Sequence, residues 1–216
     1  MIIEMMGLPG AGKTSLSNHL VKRGIVYINA VDMSRTRIWF KIPVRVLEKI
    51  SIIFPSYRND VKNMKTRFDG YCSSGSKYTK VTVGWKIKQI AFLRMIYAFL
   101  GKSEKVWLFD EGIIQHITTL CVCFGVDDEN IPMLFDGLLP DSVYCVNLRV
   151  DNSTAFDSIR IRNRHVCNMD EFDDDKLKEF LALYSHANMI LSGRYASNEI
   201  DRSTKIFTIS ELIGKD

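Results

Sequence analysis

Histidine is scarce in this chain. His19, His116, His165 and His186 are the only four among 216 residues, and none stands at metal-ligand spacing from another. The five cysteines form no C-x-x-C pair, and Cys121-x-Cys123 beside an apolar stretch has no partners, so a structural zinc is not expected. Cys72, Cys121, Cys123, Cys145 and Cys167 make no even framework either, and reduced, mostly buried thiols are the default. Long uncharged apolar runs are missing as well. Val81 to Leu100 comes nearest, but Lys86, Lys88 and Arg94 break it, which argues against a membrane span. An N-K-x-D element is absent, which argues against a guanine-specific switch. No internal repeat is found. A net charge of +4 suits an anionic small molecule but is too diffuse to indicate nucleic acid.

What remains is an ordinary globular composition, 46% hydrophobic and 25% charged, of a length that fits one α/β domain or one such domain carrying an insertion. The N-terminus runs straight into the first motif, so no signal peptide and a cytoplasmic location are expected.

That motif is Gly7-Leu8-Pro9-Gly10-Ala11-Gly12-Lys13-Thr14, followed by Ser15. It has the form G-x-x-x-x-G-K-[ST]. The apolar run Met1 to Met6 reads as a short buried strand before it, and Ser15 to Arg23 as a helix after it. Glycines let the backbone curl so that N–H groups face phosphate oxygens, and the helix N-terminus adds its partial positive charge. Lys13 is placed to reach the β- and γ-phosphates and Thr14 to ligate Mg²⁺. The pattern predicts a site for a nucleoside triphosphate, ATP by preference, together with Mg²⁺.

A second strand is expected at Ile25 to Asn29. Residues 33 to 104 then read as helical and basic, with a helix from Pro43 to about Phe54 ended by Pro55 and a charged helix over Asn59 to Phe68. Gly70 to Lys80 is loop-like, and Val83 to Leu100 reads as a buried helix. Lys105 to Asp110 is a third strand, and Ile113 to Phe124 a strongly apolar helix. A shorter helix over Glu129 to Leu138, a fourth strand at Ser142 to Val150 and a helix from Ser153 to about Asn163 follow. The last elements are a helix over Asp173 to Leu191 and a strand at Lys205 to Ile209. Strands alternating with helices predict an α/β fold, a parallel sheet with helices on both faces. Glu4 is the oddity in this pattern, since an acid inside the first strand needs a buried partner.

The third strand carries the second constellation. Apolar residues followed by Asp110-Glu111-Gly112 place Asp110 at the carboxyl end of a buried strand, the edge on which open α/β sheets bind ligands. Asp110 suits Mg²⁺ or a proton from the attacking group, and Glu111 is the rival for that base role. The third constellation is Arg160-Ile161-Arg162-Asn163-Arg164. Arg160 and Arg164 share a helical face and suit a lid over a triphosphate, whereas a continued helix turns Arg162 elsewhere.

The segments GLPGAGKTS, FDEG and VDNSTAFDSIRIRNR together resemble the P-loop kinases of the thymidylate kinase and nucleoside monophosphate kinase group. The resemblance implies a five-stranded parallel sheet, an acceptor-binding helical insertion at about 33–104 and an Arg-bearing lid at about 158–170. Thymidylate kinases carry Asp-Arg after the third strand, where this chain has Asp110-Glu111. Acceptor recognition is expected in the insertion. Arg35, Arg37, Arg58 and Arg67 are candidates for an acceptor phosphate. Asp32 is a candidate for a sugar-like hydroxyl, as in shikimate and other small-molecule kinases of this superfamily, and equally for a helix N-cap beside Ser34.

The expected activity is transfer of the γ-phosphoryl group of ATP to a small metabolite, a nucleotide or other phosphate-bearing acceptor, with a sugar or polyol hydroxyl as the alternative. An ATPase switch controlling a partner protein and a kinase-derived toxin acting on a sugar nucleotide are further readings. Nucleic-acid and membrane partners are not expected, and a homodimer stays open.

Overall fold

The structure is a computed structural model and describes residues 1–21, 26–28, 54–72, 75–76, 78–79, 82–162, 168–206 and 208–214. Strands β1 (Ile2–Met6), β2 (Val26–Ile28), β3 (Trp107–Phe109), β4 (Val143–Arg149) and β5 (Ala196–Asp201) form one sheet in the order β2-β3-β1-β4-β5. Every neighbouring pair is parallel. β1 lies at the centre, and all five of its residues are buried, which is why it reads as an apolar run, broken only by Glu4, rather than an alternating one. The chain leaves β1 toward β3 and β2 and later returns to its other side as β4 and β5. The crevice at the carboxyl end of β1 is therefore the topological switch point, where open α/β sheets take ligands.

The helices are α1 (Lys13–Val21), α2 (Pro55–Asp69), α3 (Val83–Leu100), α4 (Ile113–Phe124), α5 (Ile131–Phe135), α6 (Asn152–Arg162), α7 (Asp174–Tyr195) and α8 (Ile209–Ile213). Short 3₁₀ turns at Asp128–Asn130 and Asn168–Glu171 precede α5 and α7. α4 packs against α3, α7 and β1. Ile113, Ile114, Ile117 and Leu120 are fully buried in it, and Gly125 closes it in the left-handed conformation that glycine adopts without a Cβ penalty. α7 starts at Asp173, whose side chain accepts the Lys176 N–H, with Asp174 and Asp175 in the first turn where the helix dipole favours acids. Asn188 of α7 donates to Asn147 of β4, which donates to Glu199 of β5, tying the late helix to the sheet edge. Cys72, Cys121, Cys123 and Cys145 are free thiols. Among the described residues no helix is long and apolar enough to cross a membrane.

Two elements differ from the sequence expectation. α2 begins at Pro55 rather than at the expected Asn59: a proline at the first helical position lacks only an N–H that would have no intrahelical partner anyway. The expected helix from Pro43 to Phe54 lies outside the described residues except for Phe54. The last strand is not at Lys205 to Ile209 but at Ala196–Asp201, directly after α7. Within the apolar stretch, Thr208 caps α8 in a capping box with Glu211, and that local pairing takes the segment into a helix start.

Candidate active site

The phosphate loop spans the end of β1 and the start of α1. Gly7, Gly10 and Gly12 all have positive φ, 126°, 86° and 94°. At Gly10 the lack of a side chain is also a packing requirement, because a Cβ would stand 2.5 Å from the Ala155 carbonyl oxygen of α6. The loop thus lies backbone to backbone on α6. Leu8, Pro9 and Ala11 are buried and Ser15 is exposed on α1. Lys13 is 7% exposed, and its Nζ donates to the carbonyl oxygens of Gly7 at 2.7 Å and Leu8 at 2.9 Å, inside the curl of the loop. Burial lowers its pKa to about 8, opposed by the carboxylates of Glu111 and Asp110 and assisted by Arg162.

Asp110 follows β3 and is 3% exposed. It reaches the loop directly: the Thr14 hydroxyl donates to Asp110 Oδ2 at 2.9 Å. A hydroxyl and a carboxylate so close together are hard oxygen donors of the kind Mg²⁺ takes. Glu111, the next residue, has its pKa raised by burial and by Asp110, and lowered in part by Lys13, Lys86 and Arg162. Lys86, on α3, sits 3.3 Å from His116 Nδ1 of α4. Burial and the ammonium hold His116 far below the ordinary imidazole range, so the ring is neutral and its Nδ1 accepts from Lys86. Neither Lys86 nor His116 was singled out in the sequence, because a lysine and a histidine on two apolar helices, 30 residues apart, leave no pattern.

The arginines are placed differently from the helical-face argument. Arg160 Nε donates to Asp174 Oδ1 at 3.0 Å and its Nη2 to the Phe172 carbonyl at 2.8 Å, so its guanidinium joins α6 to the start of α7. Arg162 instead acts electrostatically on Lys13 and Glu111, and its Nη2 pairs with Asp170 Oδ1 at 2.8 Å. Arg162 is the last residue of α6, two positions from Arg160, and so leaves the helix on a different side. Arg164, Asp32, Arg35 and Arg37 lie outside the described residues. Arg67 donates to the Asp136 carbonyl at 2.6 Å and holds the end of α5, while Arg58 is exposed on α2. Neither is brought to the phosphate loop. Arg202, after β5, is a further residue the sequence did not flag. It donates to the Gly10 carbonyl at 3.2 Å and to the Ser158 hydroxyl at 2.6 Å, bridging the loop and α6.

No family model matches the sequence, and no curated protein matches it. Solved structures do. Deoxyadenosine kinase from M. mycoides with bound dATP is similar at a TM-score of 0.52 and 17% identity, over 99% of this chain and 96% of that one. The same enzyme with dCMP and a flexible dCDP bound gives 0.53 and 17%, over 99% and 95%. Shikimate kinase from Acinetobacter baumannii in complex with shikimate gives 0.47 and 14%, over 99% and 88%. The likeness is one of fold. The chain shares the parallel α/β fold of the deoxyadenosine kinase, a likeness that does not single out the thymidylate kinase group that the sequence resembles.

Proposed function

We propose that the chain is a kinase that transfers the γ-phosphoryl group of ATP to a hydroxyl of a small metabolite. The observation that carries this reading is the 2.9 Å contact between Thr14 of the phosphate loop and Asp110, with Glu111 next in sequence and under the influence of Lys13, Lys86 and Arg162. Thr14 and Asp110 would hold Mg²⁺, which when bound neutralises charge on the phosphate oxygens. Lys13 and the loop N–H groups hold the triphosphate. The acceptor oxygen bonds to the γ-phosphorus, the bond to the β–γ bridging oxygen breaks, and its electron pair leaves with ADP. Because Asp110 is committed to Thr14, Glu111 takes the hydroxyl proton. Its raised pKa suits that role, since a general base works best with a pKa near the working pH.

Residues 33–104 are then the acceptor-binding insertion and residues 158–170 the lid, with Arg162 the described arginine that faces the reacting groups. A nucleotide acceptor is the second reading, favoured by the convergence of Lys86 and Arg162 on one carboxylate where an acceptor phosphate would stand.

ADP release from Mg²⁺ and ATP, with a panel of nucleosides, nucleoside monophosphates, sugars and sugar phosphates, tests this. Stimulation by a nucleoside or sugar supports the hydroxyl reading, and stimulation by a monophosphate alone favours the second. Acceptor-blind turnover that Lys13→Ala removes would replace both with an ATPase switch.

A further inference from the structure

Glu4 stands in the middle of β1, fully buried, opposite Phe109 of β3 in the sheet register. Its Oε1 accepts the Ile114 N–H at 2.5 Å and its Oε2 accepts the Tyr97 hydroxyl at 2.8 Å. Ile114 lies in the first turn of α4, whose N-cap residue, Gly112, has no side chain to satisfy the free N–H groups there. A carboxyl from a neighbouring strand therefore does the work of the missing cap. Gly112 is the residue that admits it, because a Cβ at that position would overlap Glu4 Cδ and Tyr97 Oη. At the other end of the corner, the Tyr97 ring meets Phe109 edge-on at 4.7 Å. Only Asp110 and Glu111 lie between Phe109 and Gly112. Both ends of that pair are thus held by the same two residues, Phe109 by the Tyr97 ring and the β1 backbone at Glu4, and the Gly112 end by the Glu4 carboxyl and the Tyr97 hydroxyl.

We propose that Glu4 is a positioning residue for the candidate active site: with Tyr97 it fixes the Phe109–Gly112 corner, so that Asp110 meets Thr14. This rests on the kinase reading of the site. Glu4 touches neither donor nor acceptor and acts through the backbone of the corner. The need for it follows from geometry, since a displacement of about 1 Å at reacting groups costs on the order of 10²-fold. The pairing also accounts for glycine after Asp110-Glu111, where a larger residue would collide with the carboxyl.

The test is calorimetric titration of ATP into the wild type, Glu4→Gln, Glu4→Ala, Gly112→Ala and the Glu4→Ala Gly112→Ala double variant, each with Mg²⁺ and with EDTA. Without metal the phosphate loop alone binds, and all five proteins are expected to agree within about twofold. With Mg²⁺, Glu4→Ala and Gly112→Ala should each lose roughly tenfold, as supporting residues behind metal ligands do. Glu4→Gln, which keeps an oxygen for the Ile114 N–H, should stay near the wild type. The double variant should lose less than the product of the single losses, because the same contact is removed twice. Should Glu4→Ala fail to fold, Gly112→Ala and Tyr97→Phe carry the same comparison. The proposal is overturned if these variants keep the full gain from Mg²⁺, or if they lose equally in EDTA, the mark of a merely structural role. If the wild type shows no ATP binding that Lys13→Ala removes, the kinase reading fails and this proposal with it. If the wild type binds and transfers while Glu4→Ala does so equally well, this proposal alone falls.

Discussion

Thr14 and Asp110 stand 96 residues apart in the chain and 2.9 Å apart in the fold, a hydroxyl donating to a carboxylate across the mouth of the phosphate loop. If the pair holds the metal, Asp110→Asn keeps an oxygen for Thr14 but loses the charge that favours a cation. The Mg²⁺ concentration for half-maximal turnover should then rise at least about tenfold and kcat should fall by about 10². A magnesium titration at saturating ATP measures both. An unchanged titration would remove Asp110 from the metal site.

Lys13 carries a pH prediction of definite sign. Burial lowers its pKa to about 8, so the ammonium that on the proposed reading meets the triphosphate is present below that pH and lost above it. In the free enzyme, kcat/KM for ATP should fall about tenfold for each pH unit above 8. A profile flat to pH 9.5 would show that Lys13 keeps its proton throughout.

How much of this was legible in the sequence follows from how local each cause is. The phosphate loop and α4 are written in contiguous residues, three glycines before Lys13 and an unbroken apolar run from Ile113 to Phe124, and the structure places both there. The end of the chain was not legible in the same way. Ala196–Asp201 has a polar pattern because β5 is an edge strand, exposed at Ser197, Glu199 and Asp201, while the more apolar 205–209 stretch yields to the Thr208–Glu211 cap. Glu4 could be marked as anomalous, but its partners Tyr97 and Ile114 lie 93 and 110 residues away, beyond any local rule. Arg67 shows the same limit. Its guanidinium, suited to phosphate, donates to the Asp136 carbonyl, and no feature of the sequence separates those uses.

Glu4 also predicts how stability depends on pH. Burial raises its pKa from 4.5 to about 7, against the opposing pull of the Tyr97 hydroxyl and the α4 N–H groups. For a carboxyl whose folded pKa is raised, the folded state binds the proton more tightly, so the contribution is full below about 4.5 and is lost as pH rises toward 7. The loss amounts to roughly 3 kcal/mol at pH 7. His116 works in the opposite sense, because its neutral buried ring favours the fold as pH rises through the ordinary histidine range. The informative quantity is therefore the difference between proteins. Denaturant unfolding of Glu4→Gln and wild type from pH 4.5 to 8 should show the variant gaining on the wild type as pH rises. Parallel curves would mean that Glu4 titrates normally.

On the proposed kinase reading, the two arginines of α6 divide into a structural ion pair, Arg160, and a group turned toward Lys13 and Glu111, Arg162. Arg160 is bound at both ends of its guanidinium, by Asp174 and by the Phe172 carbonyl, and its Cζ lies 5.2 Å from the centroid of the Phe156 ring. Asp174 is largely exposed, so Arg160→Ala should cost no more than about 1 kcal/mol of stability and leave kcat within about twofold. Arg162 pairs with the buried Asp170, and its charge acts on Lys13 and Glu111, the groups proposed to flank the transferred phosphoryl, whose oxygens gain charge during transfer. Arg162→Ala should lower kcat by roughly 10 to 10², the scale of losing one electrostatic stabiliser. Arg162→Lys should recover part of it, because the charge returns without the planar fork. Steady-state kinetics with the acceptor found in the panel decide the matter. A large loss at Arg160 with Arg162 silent would mean that α6 turns its other face to the triphosphate when the donor is bound, and that Arg160 leaves Asp174 to reach it.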